Sequence, residues 1–285
     1  MTDSSAYTPP KIWTWNKENG GRFANINRPI AGPTQDKELP VGRHPMQLYS
    51  LATPNGVKVT VMLEELLALG HAGAEYDAWL IRINEGDQFG SGFVGVNPNS
   101  KIPALMDYSG DKPVRVFESG AILLYLAEKT GKLLPADMAA KYEAIQWMMV
   151  QMTTVGPMFG QHVHFTRFAP AGNDYSKSRY ATQVHRVFEV IDQRLAASPY
   201  LGGAEYGLAD IATYPWARNI PVLLGADAAA KFPTVMRWVG VINERPAVKK
   251  ALAQVDDIRA RTTQFDKAQP QDLDKLFGRG TFAAA

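Results

Sequence analysis

The hydrophobic period of this chain changes once, at Leu134-Pro135, and that change limits the possible folds more than any single motif does. Before it, strand-length apolar runs alternate with helical stretches; after it, the period is helical throughout. Residues 47–51 read as a strand. Val57, Val61, Met62, Leu66 and Leu67 then line one face of an amphipathic helix that Gly70 stops. Residues 78–83 read as a second strand, and 102–107 with 114–117 flank the turn-rich "YSGDKP" as a hairpin. Residues 118–129 are helical again, ending near Gly131. The order β-α-β-β-β-α describes a compact α/β unit with a mixed sheet.

Beyond the change, residues 138–160, 175–197, 208–224 and 232–255 have helical periodicity, punctuated by Phe232-Pro233 and Glu244-Arg245-Pro246. Four parts are expected. Residues 1–44 form an N-terminal arm whose Trp13, Trp15 and Phe23 suggest that it packs, 45–132 the α/β domain, 138–258 an all-α domain, and 259–285 a C-terminal arm. A chain of 285 residues is long enough for two domains.

Composition removes several function classes. With 46% hydrophobic and 20% charged residues the chain suits a soluble globular protein, and a formal charge of +2 without a basic stripe argues against nucleic acid. No apolar run approaches the ~20 residues that span a bilayer, and the first residues lack signal-peptide character, so no membrane partner is expected and the cytoplasm is the simplest location. Zero cysteines exclude a disulfide framework and any nucleophilic thiol of the protein's own. His162 and His164 fall on different faces of a helix, so no metal is expected. "GSGFVG", residues 90–95, fits a dinucleotide pattern, but Asn97-Pro98-Asn99 follows at once and a flexible loop is expected.

The junction Thr53-Pro54-Asn55-Gly56, between a strand and a helix, calls for a guest. A helix N-terminus presents unpaired N–H groups and the positive end of a dipole, which suit an anion.

Three stretches carry a resemblance that covers about residues 44–255. "NPNSKIPAL" is similar to the pre-cis-proline segment of the glutathione S-transferase family, with Pro103 as the proline. "VFESGAILLYLAEK" resembles its acidic-Ser turn, with Glu118-Ser119 opening a helix. "YGLADIATYPW" resembles the capping-box segment of its helical domain. The arms and the "TPNG" junction narrow the likeness to the bacterial Nu class, whose characterised members are glutathione-dependent disulfide-bond reductases. The fold implied is a thioredoxin-like α/β N-terminal domain followed by an all-α C-terminal domain. One departure stands out: Gly207 holds the N-cap place, three residues before Asp210, where the family usually has Ser or Thr.

The resemblance implies a set of site residues. Glu118 would pair with the γ-glutamyl ammonium of glutathione, and Ser119 with its helix N–H groups would take the neighbouring carboxylate. A cis bond at Ile102-Pro103 would leave the Ile102 backbone to bond the cysteinyl residue as a short added strand. Gln88 and Lys101 would stand near the glycyl and γ-glutamyl ends. The sulfur would then lie over Thr53, Pro54 and Asn55, where the hydroxyl, the dipole and the Asn55 amide stabilise a thiolate, with Asn27 reaching back from the arm. The thiol is therefore borrowed: glutathione thiolate is the nucleophile. Relatives hold two glutathiones per subunit; Arg179 matches the basic residue used for the second. A Gln that relatives use there falls on Met152, with Gln151 one place earlier, an offset of about 100° on an α-helix.

The implied activity is disulfide reduction, with organic hydroperoxides as possible further substrates. The alternative is a glutathione lyase, in which the aromatic-rich 162–168 admits an aromatic thioether. Conjugation to haloarene-like electrophiles is weaker, because no Tyr or Ser replaces Thr53, and a non-catalytic interaction module is weaker still. A homodimer is expected.

Overall fold

The structure, a computed structural model, describes residues 11–12, 31–169 and 172–260; Asn27, the three arm aromatics and the chain from 261 onward lie outside the described residues. Its first half contains β1 (Met46–Ser50), α1 (Pro54–Ala68), β2 (Tyr76–Leu80), α2 (Ser91–Val96), β3 (Ala104–Asp107), β4 (Val114–Phe117) and α3 (Ser119–Thr130). The strands form one mixed sheet in the order β2-β1-β3-β4. Every residue of the central β1 is buried.

Register decides where the loops go. β2 runs parallel to β1, pairing Tyr49 with Trp79, so the chain leaves both strands at the same end. β3 is antiparallel to β1 and pairs Ala104 with Tyr49, so it starts at that end. β4 is antiparallel to β3 and pairs Phe117 with Ala104, so it finishes there. The segments at Thr53, Ile102-Pro103 and Glu118-Ser119 therefore lie at one end of the sheet, the end from which the connection carrying Gln88 also leaves β2.

The structure corrects three expectations. The helix at 54–68 is not amphipathic in place: all residues from Gly56 to Leu66 are buried, polar ones included. α1 is the helix around which the molecule is built, covered by α3, by the sheet and, from the other half, by α7 (Leu208–Ala217) and α11 (Pro246–Ala260). Its buried carboxylates are accordingly paired. Glu65 takes Arg245 through two oxygens at 2.6 and 2.8 Å, and Glu64 takes Tyr76, Gln254 and Lys250. The second correction concerns "GSGFVG", which is a helix and not a loop. Phe93 and Val96 bury themselves against Tyr49, Ile81 and Ala104, and the Ser91 and Gly92 N–H groups donate to Gln35 and Lys37 carbonyls. A Cβ at Gly92 would lie 2.8 Å from Leu39 N, so only glycine lets the incoming chain approach so closely.

The second half is helical: α4 (Met138–Val150), a π-helical turn (Gln151–Val155), α5 (Gly156–Arg167), α6 (Asp174–Ala197), α7, α8 (Ile220–Leu223), α9 (Ala226–Ala230), α10 (Pro233–Asn243) and α11. The single helix expected over 208–224 is broken at Arg218-Asn219. Pro233 and Pro246 open α10 and α11, at the first helical position where a missing N–H costs nothing. Asp210 ties this half together. Its fully buried carboxylate accepts from Leu201 N at 2.9 Å, Gly207 N at 3.1 Å and the Trp238 indole at 2.9 Å. Burial pushes its pKa up to about 6 in spite of these donors. Gly207 has a steric reason: a Cβ there would meet the Leu133 carbonyl at 2.7 Å, and that oxygen instead accepts from Leu208 N. Among the described residues no helix is long and apolar enough to cross a membrane.

Candidate active site

The end of the sheet where these segments lie is organised by the start of α1. Thr53 is the N-cap, in extended conformation, and its Oγ1 accepts from Gly56 N at 3.3 Å while its carbonyl accepts from Val57 N at 2.9 Å. An oxygen that accepts from one N–H still has its own proton to donate. Pro54 contributes no N–H, so Asn55 supplies the first outward donor of the helix. Gly56 is required sterically, since a Cβ would lie 2.0 Å from the Leu51 carbonyl and 2.6 Å from Ser50 Oγ. The close seating of α1 on the end of β1 depends on that absence.

Asn55 is fixed from the other half of the molecule. The Trp216 indole N–H donates to Asn55 Oδ1 at 3.2 Å. Because an indole can only donate, the amide oxygen must face Trp216, and the amide NH2 is turned away as a donor. Thr53 and Asn55 thus bring a hydroxyl, a backbone N–H and a carboxamide NH2 to one helix end, alongside the positive end of the dipole.

Glu118 and Ser119 stand at the start of α3. Glu118 is exposed and has φ 69° and ψ 121°, a conformation that an L-residue adopts at a cost of about 1–3 kcal/mol. Ser119 is buried, and its Oγ receives the Lys58 ammonium at 3.1 Å. The Ile102-Pro103 bond is cis, and among the described residues the Ile102 N–H and C=O have no hydrogen-bond partner. Lys101 is exposed, its carbonyl accepting from Asn97 Nδ2 at 2.6 Å. Gln88 is buried and its Nε2 donates to the Ile83 carbonyl at 3.1 Å. It shares a short turn with Asp87, which pairs with Lys37 at 2.6 Å.

Met152 lies against this group. Its thioether packs on Gly120, where a Cβ would come within 2.9 Å of Met152 Cγ, and its sulfur is 3.5 Å from Lys58 Nζ. Gln151 Oε1 accepts from the same Nζ at 2.7 Å. The π turn makes this possible: Gly156 N bonds the Gln151 carbonyl five residues back, and the widened turn lets two successive side chains reach one amine. Arg179 is not brought to this group. It is exposed on α6, and among the described residues no contact joins it to the rest, while its neighbour Tyr180 stacks on Phe165 of α5 with centroids 5.4 Å apart. The other rings of 162–168 are also engaged locally, His164 edge-on to Phe165 at 5.1 Å and His162 near Phe159. Burial lowers the pKa of both histidines.

Sequence reading does not single out Lys58 or Trp216, and it turns Gln151 away from Met152. The first had a visible signal, a lysine inside the otherwise apolar "VKVTVML". Trp216 had none, since its partner is 161 positions away.

Residues 44–128 match the family model for the glutathione S-transferase N-terminal domain and residues 146–246 that for the C-terminal domain. The chain is similar to the disulfide-bond oxidoreductase YghU of Escherichia coli (strain K12), with 54% identity over 256 residues and 88% of each chain covered. Among solved structures it is similar to a glutathione transferase YghU from Streptococcus pneumoniae complexed with glutathione. There the TM-score is 0.81 and the identity 44%, over 87% of this chain and 97% of that one. It is also similar to a glutathione transferase from Burkholderia graminis solved with two glutathione molecules per subunit. That match has a TM-score of 0.67 and 46% identity, over 73% of this chain and 87% of the other.

Proposed function

The chain belongs to the glutathione S-transferase family, and from that premise we propose that it is a glutathione-dependent disulfide-bond reductase. The observation that carries the reading is the α1 N-terminus. Thr53 and Asn55 gather donors there, Trp216 turns the Asn55 amide outward, and the protein has no cysteine of its own. Such a site holds a nucleophilic sulfur that arrives with the substrate. Donors and dipole favour thiolate over thiol, so bound glutathione ionises at a lower pH than free glutathione.

Two exchanges then complete the reaction. The bound thiolate attacks one sulfur of a substrate disulfide, forming a glutathionyl mixed disulfide and expelling the other sulfur as a thiolate. A second glutathione, as thiolate, attacks the glutathionyl sulfur, giving oxidised glutathione and the second product thiolate. Two thiols are oxidised and one disulfide is reduced. Glu118 pairs with the γ-glutamyl ammonium, Ser119 with the adjacent carboxylate, and the Ile102 backbone with the cysteinyl residue. Lys101, Gln88 and Asn27 complete the glutathione contacts and Met152 bounds the place of the second molecule; Arg179, exposed on α6 apart from this group, is left out of it. The two glutathiones per subunit of the Burkholderia graminis relative support a second molecule, without naming its contacts.

The working unit is a homodimer in a reducing, glutathione-rich compartment such as the cytoplasm. A stripe on α4 supports the dimer: Met138, Tyr142 and Met149 share one helical face and are 74%, 57% and 44% exposed. Light scattering at micromolar concentration is expected to give twice the chain mass, and Tyr142→Glu to lower it to that of one chain; a monomeric wild type contradicts the dimer.

The reductase reading is tested by reduction of hydroxyethyl disulfide with glutathione, coupled to glutathione reductase. Thr53→Ala removes one charge-assisted donor, so kcat/KM is expected to fall ~10- to 100-fold. A wild type that binds glutathione but does not turn over the disulfide contradicts the assignment.

A further inference from the structure

Lys58 is the buried cation that the proposed reaction leaves unused. It is 1% exposed, lies one turn beyond Thr53 on α1, and its Nζ meets Ser119 Oγ at 3.1 Å, Gln151 Oε1 at 2.7 Å and Met152 Sδ at 3.5 Å. None of these partners is an anion. A buried ammonium without a counter-charge is unstable and tends to shed its proton. The charged group acting on it is Glu118, at the start of α3, which raises its proton affinity without a hydrogen bond to it. The π turn offers it only Gln151 and Met152. α7 offers Trp216, which is taken by Asn55. Its own helix carries Glu64 and Glu65 further along, already engaged by Lys250 and Arg245. Burial consequently pushes the Lys58 pKa down to about 7.

The nearest position for an anion is on the far side of Ser119. Because Ser119 Oγ accepts from Lys58, its own proton is left to donate, and its present acceptor is only the Met152 sulfur at 3.8 Å. A carboxylate there is a far stronger acceptor than a thioether. The amino-acid end of a γ-glutamyl group carries an ammonium and a carboxylate side by side; the start of α3 offers the exposed Glu118 for the first and, for the second, the Ser119 hydroxyl backed by buried Lys58.

We propose that Lys58 is a positioning residue for the γ-glutamyl carboxylate, acting through Ser119, and that binding of the ligand draws a proton onto its amine. This rests on the glutathione site described above. It makes the site selective for a free α-amino acid end and couples affinity to pH near neutrality.

Calorimetry with S-methylglutathione tests it, because this probe has no thiol to ionise. Binding heats are compared at pH 7.5 in phosphate and in Tris, whose ionisation enthalpies differ. The expected result is an uptake of roughly half a proton per site at pH 7.5 that vanishes toward pH 5.5, where the amine is already charged. Lys58→Met, checked for native circular dichroism, should lose the uptake and bind the probe at least ~10-fold more weakly; if it does not fold, the wild-type buffer comparison decides alone. Binding with equal heats in both buffers overturns the role of Lys58 and leaves the site reading intact. Failure of the wild type to bind S-methylglutathione at all overturns both.

Discussion

Single residues set the chemistry of this site through partners that lie far away in sequence. Trp216 fixes which face of the Asn55 amide is left as a donor at the helix end, and it does so from the helical half of the chain. Trp216→Phe keeps a ring beside Phe159 but removes the N–H that holds the amide oxygen. With a hydrogen bond contributing about 0.5–1.5 kcal/mol, kcat is expected to fall ~2- to 10-fold with little change in the KM for glutathione. An unchanged kcat would remove Trp216 from the positioning of Asn55. Lys58 gives a pH signature as well. The amine titrates near 7 in the folded protein and near 10.5 when unfolded, so between these values the unfolded chain holds the extra proton. Stability therefore rises with pH across that window through this group. Urea unfolding at pH 7 and pH 10 should show wild type gaining stability relative to Lys58→Met; a constant difference would mean that Lys58 is not desolvated as described.

At the scale of elements, the strand–turn–helix start at Ser50 to Val57 is a packing device before it is a binding site. Gly56 lets α1 rest on the Leu51 carbonyl, and this contact sets the helix start at the end of the sheet. Gly56→Ala forces backbone apart from backbone; the expected destabilisation is about 1–3 kcal/mol or more, with loss of disulfide reductase activity even where the protein folds. A stable, active variant would show that α1 can move without consequence. The order of these elements was legible in the sequence, because β-strand runs and Pro and Gly punctuation are local signals. The surroundings of α1 were not. An amphipathic helix has one covered face, yet Lys58, Thr60, Glu64 and Glu65 are covered too, and a helix buried on every side is recognised only when its neighbours are known. "GSGFVG" was misread for a related reason: its helix is held by carbonyls of Gln35 and Lys37, more than fifty positions earlier. The π turn escaped too, because a regular helical period was assumed, and Gln151 and Met152 then seemed to point apart.

On the scale of the whole molecule, two halves share one helix. α1 begins at the donor cluster of Thr53 and Asn55, packs on α3, α7 and α11, and through Glu65 and Arg245 locks the halves together. Convergence of Thr53, Ile102-Pro103 and Glu118-Ser119 follows from the strand register, which the order of the motifs had already implied; contacts reaching across the halves, such as Asn55 with Trp216 and Lys58 with Gln151, had no sequence signal. In the proposed reaction the protein's share of catalysis is to stabilise a borrowed thiolate at the end of α1. That stabilisation is most directly measured by following the ultraviolet absorbance of the thiolate of bound glutathione as pH is varied, for wild type and Thr53→Ala. Ionisation well below the ordinary cysteine value of about 8.5 is expected in the wild type, shifted back toward that value in the variant. A bound thiol that ionises like a free one in both proteins would contradict it.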